Sequence, residues 1–384
     1  MRLRNGVSGG LALVATLALL ACSNPGTGGG APPAGGGDPG GEFLVTEVAN
    51  VTQIAQLTGP DSTINDTESV AIAGTDLGSM FTAGERTYFV FGDTFGTRAP
   101  DAFGGGGGNW RSNAVAWTTD DDPTDGITFD DWVRDDVGLA LEVAPGEHDP
   151  NNGEGEVTKI PTHGFAVEDT LYLQYMSVSF WGEAGQWDAN HAGLVRSTDD
   201  GATWEVLDAP QWPGDSHFVQ VSAALVEEDG EEFVYFWSIP SGRFGSVQLM
   251  KVPATTSAVE DLNAYRYFAG TDDSGEPIWS EVMDEAQTLI EAPVGELSVM
   301  YHPQLDRWLM TYLENEDAVL AEGLTPWGPW GESVTLTTQE ETPGLYGPYT
   351  NPRYVSEDGQ TIYFSLSLWG PYNVFWYSAD LVTR

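Results

Sequence analysis

Positive charge is what this chain most lacks. Its 384 residues include 14 Lys and Arg against 58 Asp and Glu, for a net charge of -44. Lysine is represented only by Lys159 and Lys251, and Arg2 and Arg4 fall at the very start. A surface so poor in cations argues against nucleic acid, whose binding rests on neutralising phosphates, and against anionic lipid headgroups. Cysteine is reduced to Cys22, so no disulfide can form within the chain. His163, His191, His217 and His302 show no metal-ligand spacing of the HExxH kind, and no zinc site is expected. No nucleophile elbow, phosphate loop or dinucleotide fingerprint occurs. Helical periodicity is scarce as well, with one short helix expected over 255–264.

What is present begins with an address. Arg2 and Arg4 precede an apolar run, Leu11 to Leu20, of signal-peptide length and short for a bilayer span. It ends in Leu19-Leu20-Ala21-Cys22, the pattern that bacterial lipoprotein processing reads, with a small residue before a cysteine that takes a diacylglyceryl group. The expected organisation is a signal peptide over 1–21, then a lipidated Cys22 and a Gly/Pro-rich tether to 44, then one folded domain over 45–384. Such a protein sits outside the cytoplasm, anchored to a membrane through Cys22 and otherwise a monomer. Its scattered acidic residues suit a solvated surface in a salty habitat, where screening limits self-repulsion. The densest cluster is Asp120, Asp121 and Asp122.

The folded part reads as strand throughout. Aromatic and β-branched bursts recur between Gly, Asp and Pro: Arg86 to Asp93, Asp169 to Ser177, Glu232 to Pro240, Arg307 to Leu313 and Gln360 to Leu368. They start roughly 50 to 85 residues apart, enough for a four-stranded antiparallel sheet each. The expected fold is therefore all-β, a five-bladed β-propeller, with a β-sandwich as its competitor. Ser197 to Trp204, STDDGATW, matches the Asp-box pattern of a hairpin turn between outer strands. There Asp199 accepts backbone donors, Gly201 takes a positive φ and Trp204 packs back. The role is structural, and Asp199 receives no chemistry.

Several segments resemble, in order, a widespread bacterial domain family long filed as of unknown function. They are Gly74-Thr75-Asp76-Leu77-Gly78, Phe91-Gly92-Asp93-Thr94, Asn109-Trp110-Arg111-Ser112-Asn113, Ile160-Pro161-Thr162, Gly295-Glu296-Leu297-Ser298-Val299 and Tyr349-Thr350-Asn351-Pro352-Arg353-Tyr354. The resemblance runs from about residue 68 to the C-terminus. Some members of that family are endo-D-arabinanases, glycoside hydrolases that cut cell-wall arabinan, and the family resembles a five-bladed propeller. Pro161-Thr162-His163-Gly164 departs from the family pattern in lacking a glycine before Gly164.

The residues themselves are compatible with that chemistry. Glycoside hydrolysis needs two carboxyl groups, one to protonate the leaving oxygen and one to activate water or attack carbon. In a propeller, inner strands bring residues of different blades to one mouth. Asp76 begins the first patterned unit, Asp93 closes an inner-strand run, and Glu156 and Glu296 stand at comparable places; these four are the candidate catalytic residues. Candidate sugar-binding residues are Trp110, Arg111, Asn113, Trp187, Asn190, Tyr349, Asn351 and Arg353, with Trp181 and Trp369 as further stacking surfaces. Arginine is informative here because so few remain after the signal peptide. No cofactor is required, and a structural calcium ion stays open. Two function classes follow: an endo-acting hydrolase of arabinan or a related furanoside, or a noncatalytic carbohydrate-binding or scaffold protein on the same propeller.

Overall fold

The computed structural model describes residues 31–32 and 41–384. The signal-peptide residues, Cys22 and nearly all of the tether lie outside the described residues. Among the described residues no helix is long and apolar enough to cross a membrane.

The strands group into five units, or blades, of four strands each, the third extended by a fifth strand, and all but the fifth drawn from one stretch of the chain. Their innermost strands are Leu77–Ala83, Thr158–Val167, Gln220–Glu228, Ile290–His302 and Leu345–Val355. Each of these touches the next, and the last touches the first, which closes a ring. The fifth blade is completed by Val45–Gln56, which pairs antiparallel with the C-terminal strand Asn373–Thr383. Two strands far apart in sequence thereby complete one blade. The expected helix is present in two short pieces, Thr256–Val259 and Leu262–Ala264.

Two details refine the sequence reading. The recurring aromatic bursts are the second strand of each blade, such as Arg86–Phe91 and Thr361–Leu368, rather than the innermost. Second strands have sheet on both sides and blades on both faces, so they read as continuous apolar runs. The third and fourth blades also join into one nine-stranded sheet, because Gly245–Pro253 pairs with Ile290–His302.

Large aromatic side chains fill the space between blades. Trp237 meets Trp308 at 5.2 Å between the third and fourth, and Phe165 meets Phe236 edge-on at 5.1 Å between the second and third. All four rings are essentially or fully buried, each contributing about 1.5–3 kcal/mol of transfer energy. Nearer the axis, small hydroxyls tie neighbouring blades. Ser222 Oγ accepts from the Val299 N–H at 2.8 Å, Ser298 Oγ from the Thr350 N–H at 3.0 Å, and Ser365 Oγ donates to the Gly78 carbonyl at 2.8 Å. Without these partners, buried inner-strand polar groups would be costly.

Candidate active site

Each inner strand starts at one end of the ring, called the mouth here, and runs away from it. Second strands return to it. Asp76, just before Leu77–Ala83, and Asp93, just after Arg86–Phe91, therefore meet at the mouth although they belong to different strands. A bulge sets Asp76. Pairing between the first two strands shifts register between Leu77 and Ser79, with Leu77 at φ +65° and Gly78 at φ +84°. Bulges re-aim side chains in this way. Gly92 is required beside it, because a Cβ there would collide with Asp76 Oδ1.

The two carboxyls have different surroundings. The Tyr346 hydroxyl donates to Asp76 Oδ2 at 3.0 Å, and Asp76 Oδ1 is buried without a partner. Burial, then the charge of Asp93, pushes the Asp76 carboxyl up to about 7, against the lowering effect of the Tyr346 and Tyr372 hydroxyls. Burial also lifts Asp93, to about 6. Asp93 is held back by donors on one oxygen: Thr158 Oγ1 at 2.7 Å and Trp110 Nε1 at 2.8 Å. Donors to a carboxylate favour its ionised form, whereas an apolar setting favours the acid. Asp76 is thus the group that keeps its proton, and Asp93 the one that loses it first. Both residues remain partly exposed to solvent.

Glu296, midway along the fourth inner strand where its pairing with the second strand begins, is buried and gripped by Arg243, whose Nε lies 2.8 and 2.9 Å from its two oxygens. Burial works against the Arg243 charge, but Glu296 outweighs it and leaves the guanidinium above its ordinary pKa. That guanidinium also lies over the rings of Tyr346, at 5.1 Å, and Trp187, at 5.8 Å. Tyr349 is buried beside Glu296 and Asp76, and its hydroxyl is pushed up by burial and then by those two charges. Glu156 stands on the same rim but is neutralised: Lys159 Nζ approaches to 2.6 Å and the Ser177 hydroxyl donates at 2.6 Å. Asn190 supports that pair through Ser177 Oγ at 3.1 Å.

The mouth thus gathers Asp76, Asp93, Glu296, Glu156, Trp110, Trp187, Asn190 and Tyr349. Four expected binding residues are placed otherwise. The Arg111 guanidinium is buried against the Ala140 and Ala71 carbonyls and ties two loops. Asn113 uses both side-chain atoms on the backbone of Val143, Ala144 and Lys159. Asn351 and Arg353 lie far along the fifth inner strand, where Arg353 donates to the carbonyls of Glu85 and Thr119 at the opposite end. Strand direction explains this: eleven residues, Leu345–Val355, span the ring from one end to the other.

Four contributors escaped the sequence reading. Arg243 lies in the glycine-flanked connection Gly242-Arg243-Phe244, and its rarity as a cation was the available signal. Tyr346 and Tyr372 look like ordinary strand residues. His148 stands edge-on to Trp110, with ring centroids 4.2 Å apart, and its Nε2 lies 3.1 Å from Glu142. Its backbone is left-handed, at φ +55°. Among the described residues no group of three His, Cys, Asp or Glu is arranged to hold a metal ion.

No curated protein sequence matches the chain. Solved structures do resemble it. A Bacteroides ovatus protein with a provisional hydrolase assignment superposes with a TM-score of 0.52 at 13% identity, covering 84% of this chain and 93% of that one. This likeness concerns the fold. A GH43_1 enzyme from Xanthomonas citri (TM-score 0.48, 12% identity, 82% and 89% covered) is more distant. So is the family 117 glycoside hydrolase Zg3597 of Zobellia galactanivorans (TM-score 0.45, 10% identity, 88% and 91% covered). Residues 61–378 match the sequence profile of the Domain of unknown function (DUF4185), and the chain belongs to that family.

Proposed function

We propose that the mouth is the active site of a glycoside hydrolase acting on arabinan or a related furanoside polysaccharide, with Asp76 and Asp93 as the reacting pair. One observation carries the reading: two carboxyls from one blade share a mouth and are both lifted by burial, but unequally, Asp76 to about 7 and Asp93, held back by the Thr158 and Trp110 donors, to about 6. Asp76 protonates the leaving glycosidic oxygen, and Asp93 activates water or attacks the anomeric carbon. Trp110 and Thr158 hold Asp93 in place. Glu296, locked by Arg243, fixes negative charge near Asp76 and helps keep it protonated. The Leu19-Leu20-Ala21-Cys22 pattern supports an extracytoplasmic, lipid-anchored enzyme.

The test presents plant arabinan and mycobacterial-type arabinogalactan to the wild type, Asp76→Asn and Asp93→Asn. Cleavage by the wild type with a loss of about 10²-fold or more in each variant supports the assignment. Full activity in both variants refutes it. Binding without cleavage by the wild type places the chain with noncatalytic carbohydrate-binding propellers. For the anchor, mass spectrometry of the exported protein should find an acylated Cys22 at the mature N-terminus.

A further inference from the structure

Exposed aromatic rings are few on this protein, and they are grouped. Among the described residues the exposed ones are Phe103 (79%), Phe244 (60%), Trp369 (47%) and Phe180 (36%). All four stand on or beside the connection between the second and third strands of a blade: the first, third, fifth and second blades respectively. Those connections ring the mouth. Exposed aliphatic residues show no such grouping; Val206 and Ile278, for example, lie on the peripheral strands Glu205–Pro213 and Pro277–Ser280.

The rings form two platforms. One joins the first and fifth blades. The backbone at Gly104, φ +74°, passes so close to the Trp369 indole that a Cβ there would lie 2.6 Å from it. Only glycine fits, which gives the run Gly104 to Gly108 part of its purpose. Gly370 lies under Phe103 in the same manner, with a Cβ-to-ring distance of 3.3 Å. Arg98 clamps the two loops by donating to the carbonyls of Gly106, at 3.2 Å, Gly104 and Pro371. Trp369 is edge-on to Tyr372 at 5.7 Å, and the Tyr372 hydroxyl faces Asp76.

The other platform joins the second and third blades. Phe244 lies against Gly185, where a Cβ would sit 3.3 Å from the ring, and the Arg243 N–H donates to the Gly185 carbonyl at 2.9 Å. Arg243 is the residue that grips Glu296. The fourth blade makes the corresponding connection with the short turn Asn315-Glu316 and raises no ring. Because the ring order runs through neighbouring blades, the two platforms flank the carboxyls on separate sides.

Flat apolar faces held rigidly in water suit the C–H faces of sugar rings, whose hydroxyl edges stay solvated. A net charge of -44 disfavours a polyanion. We infer that Phe103 with Trp369 on one side, and Phe244 on the other, stack sugar units on either side of the scissile bond, so that an uncharged polysaccharide lies across the mouth and is cut internally. This rests on the hydrolase reading above and adds to it the length and path of the substrate.

The experiment compares wild type, Phe103→Ala, Phe244→Ala and the double variant on soluble arabinan and on a trisaccharide of the same sugar. Thermal melting checks that the exposed substitutions leave the fold intact. Each single variant should raise KM for the polymer about fivefold to tenfold, with the trisaccharide unaffected. Polymer kinetics equal to wild type in both variants overturns the platforms while leaving the hydrolase reading untouched. Equal losses on polymer and trisaccharide overturn them too, since the rings would then shape the pocket itself. Wild-type binding without cleavage, weakened in both variants, keeps the platforms and removes the hydrolase reading.

Discussion

The two ends of the ring use the same residue type in opposite ways. At the mouth, Asp76 and Asp93 are raised, chiefly by burial. At the other end, Asp122, Glu168, Asp199 and Asp358 are all lowered, chiefly by a hydroxyl donor: Thr124, Thr256, Thr203 and Ser356 respectively. The Ser197–Trp204 turn shows how. Asp199 accepts from the Thr203 N–H at 2.8 Å and from its hydroxyl at 2.6 Å, while Trp204 Nε1 donates to the Gly201 carbonyl at 2.9 Å. Carboxylates there organise turns and are content as anions. Those at the mouth are held where the anion is disfavoured, a cost that structure alone does not repay and that chemistry would use. The lesson is that acidic content says little in this chain; burial that outweighs the donors is what singles a carboxylate out.

The largest effect should come from swapping the same substitution between ends. Asp76→Asn and Asp93→Asn should each lower polysaccharide cleavage about 10²-fold or more, whereas Asp199→Asn should leave kcat/KM unchanged. Equal effects at both ends would dissolve the contrast. Next comes the pH profile. The pair must have Asp93 ionised and Asp76 protonated, so kcat/KM should follow a narrow bell with limbs near about 6 and about 7. A plateau running through pH 9 would argue against Asp76 as the acid.

Stability should move in step. A carboxyl whose folded pKa is raised holds its proton more tightly when folded, so stability declines as pH rises from about 4, the unfolded value, through about 7. Melting of the wild type should therefore fall across that window, and Asp76→Asn should melt higher than wild type at pH 8. The far end should show the reverse sign: Asp199→Asn should lower the melting temperature above about pH 4, an effect that fades only as pH falls through the lowered pKa of the folded state. Arg353→Ala, which removes bonds to the Glu85 and Thr119 carbonyls, should cost about 1 kcal/mol and no activity. The smallest and broadest effect is salt: melting should rise with ionic strength as the acidic surface is screened.

The propeller was legible because the second strands advertise it. Each is apolar on both faces, so Arg86–Phe91 or Thr361–Leu368 stands out from the turns around it. Asp76 and Asp93 were legible as the acids bounding the first such unit. Glu156, Glu296, Trp110, Trp187, Asn190 and Tyr349 were legible too, but Arg243, Tyr346, Tyr372 and His148 were not, in part for a geometrical reason. The inner strands of the first, second, fourth and fifth blades shift register near residues of interest, between Leu77 and Ser79, Pro161 and His163, Gly295 and Ser298, and Tyr346 and Tyr349. The third, Gln220–Glu228, pairs regularly throughout and contributes no carboxyl to the mouth. A one-residue shift reverses which side chains face the axis. Sequence pattern alone therefore cannot tell Tyr346, which reaches Asp76, from a core tyrosine. It also placed Asn351 and Arg353 beside Tyr349 when the strand carries them to the other end.

The ring's seam has a consequence for how the molecule comes into being. Val45–Gln56 precedes the other strands, yet its partner Asn373–Thr383 follows them, and the Arg384 N–H donates to the Leu44 carbonyl at 3.1 Å. Glu322 also accepts the N–H groups of Leu44 and Val45, which fastens the early segment to the fourth blade. A chain emerging from the N-terminus can pair strands within its first four blades but must keep an unpaired strand waiting until the end. Contacts of such long sequence separation are slow to form. A chain truncated within Asn373–Thr383 should therefore fail as a whole rather than lose one blade.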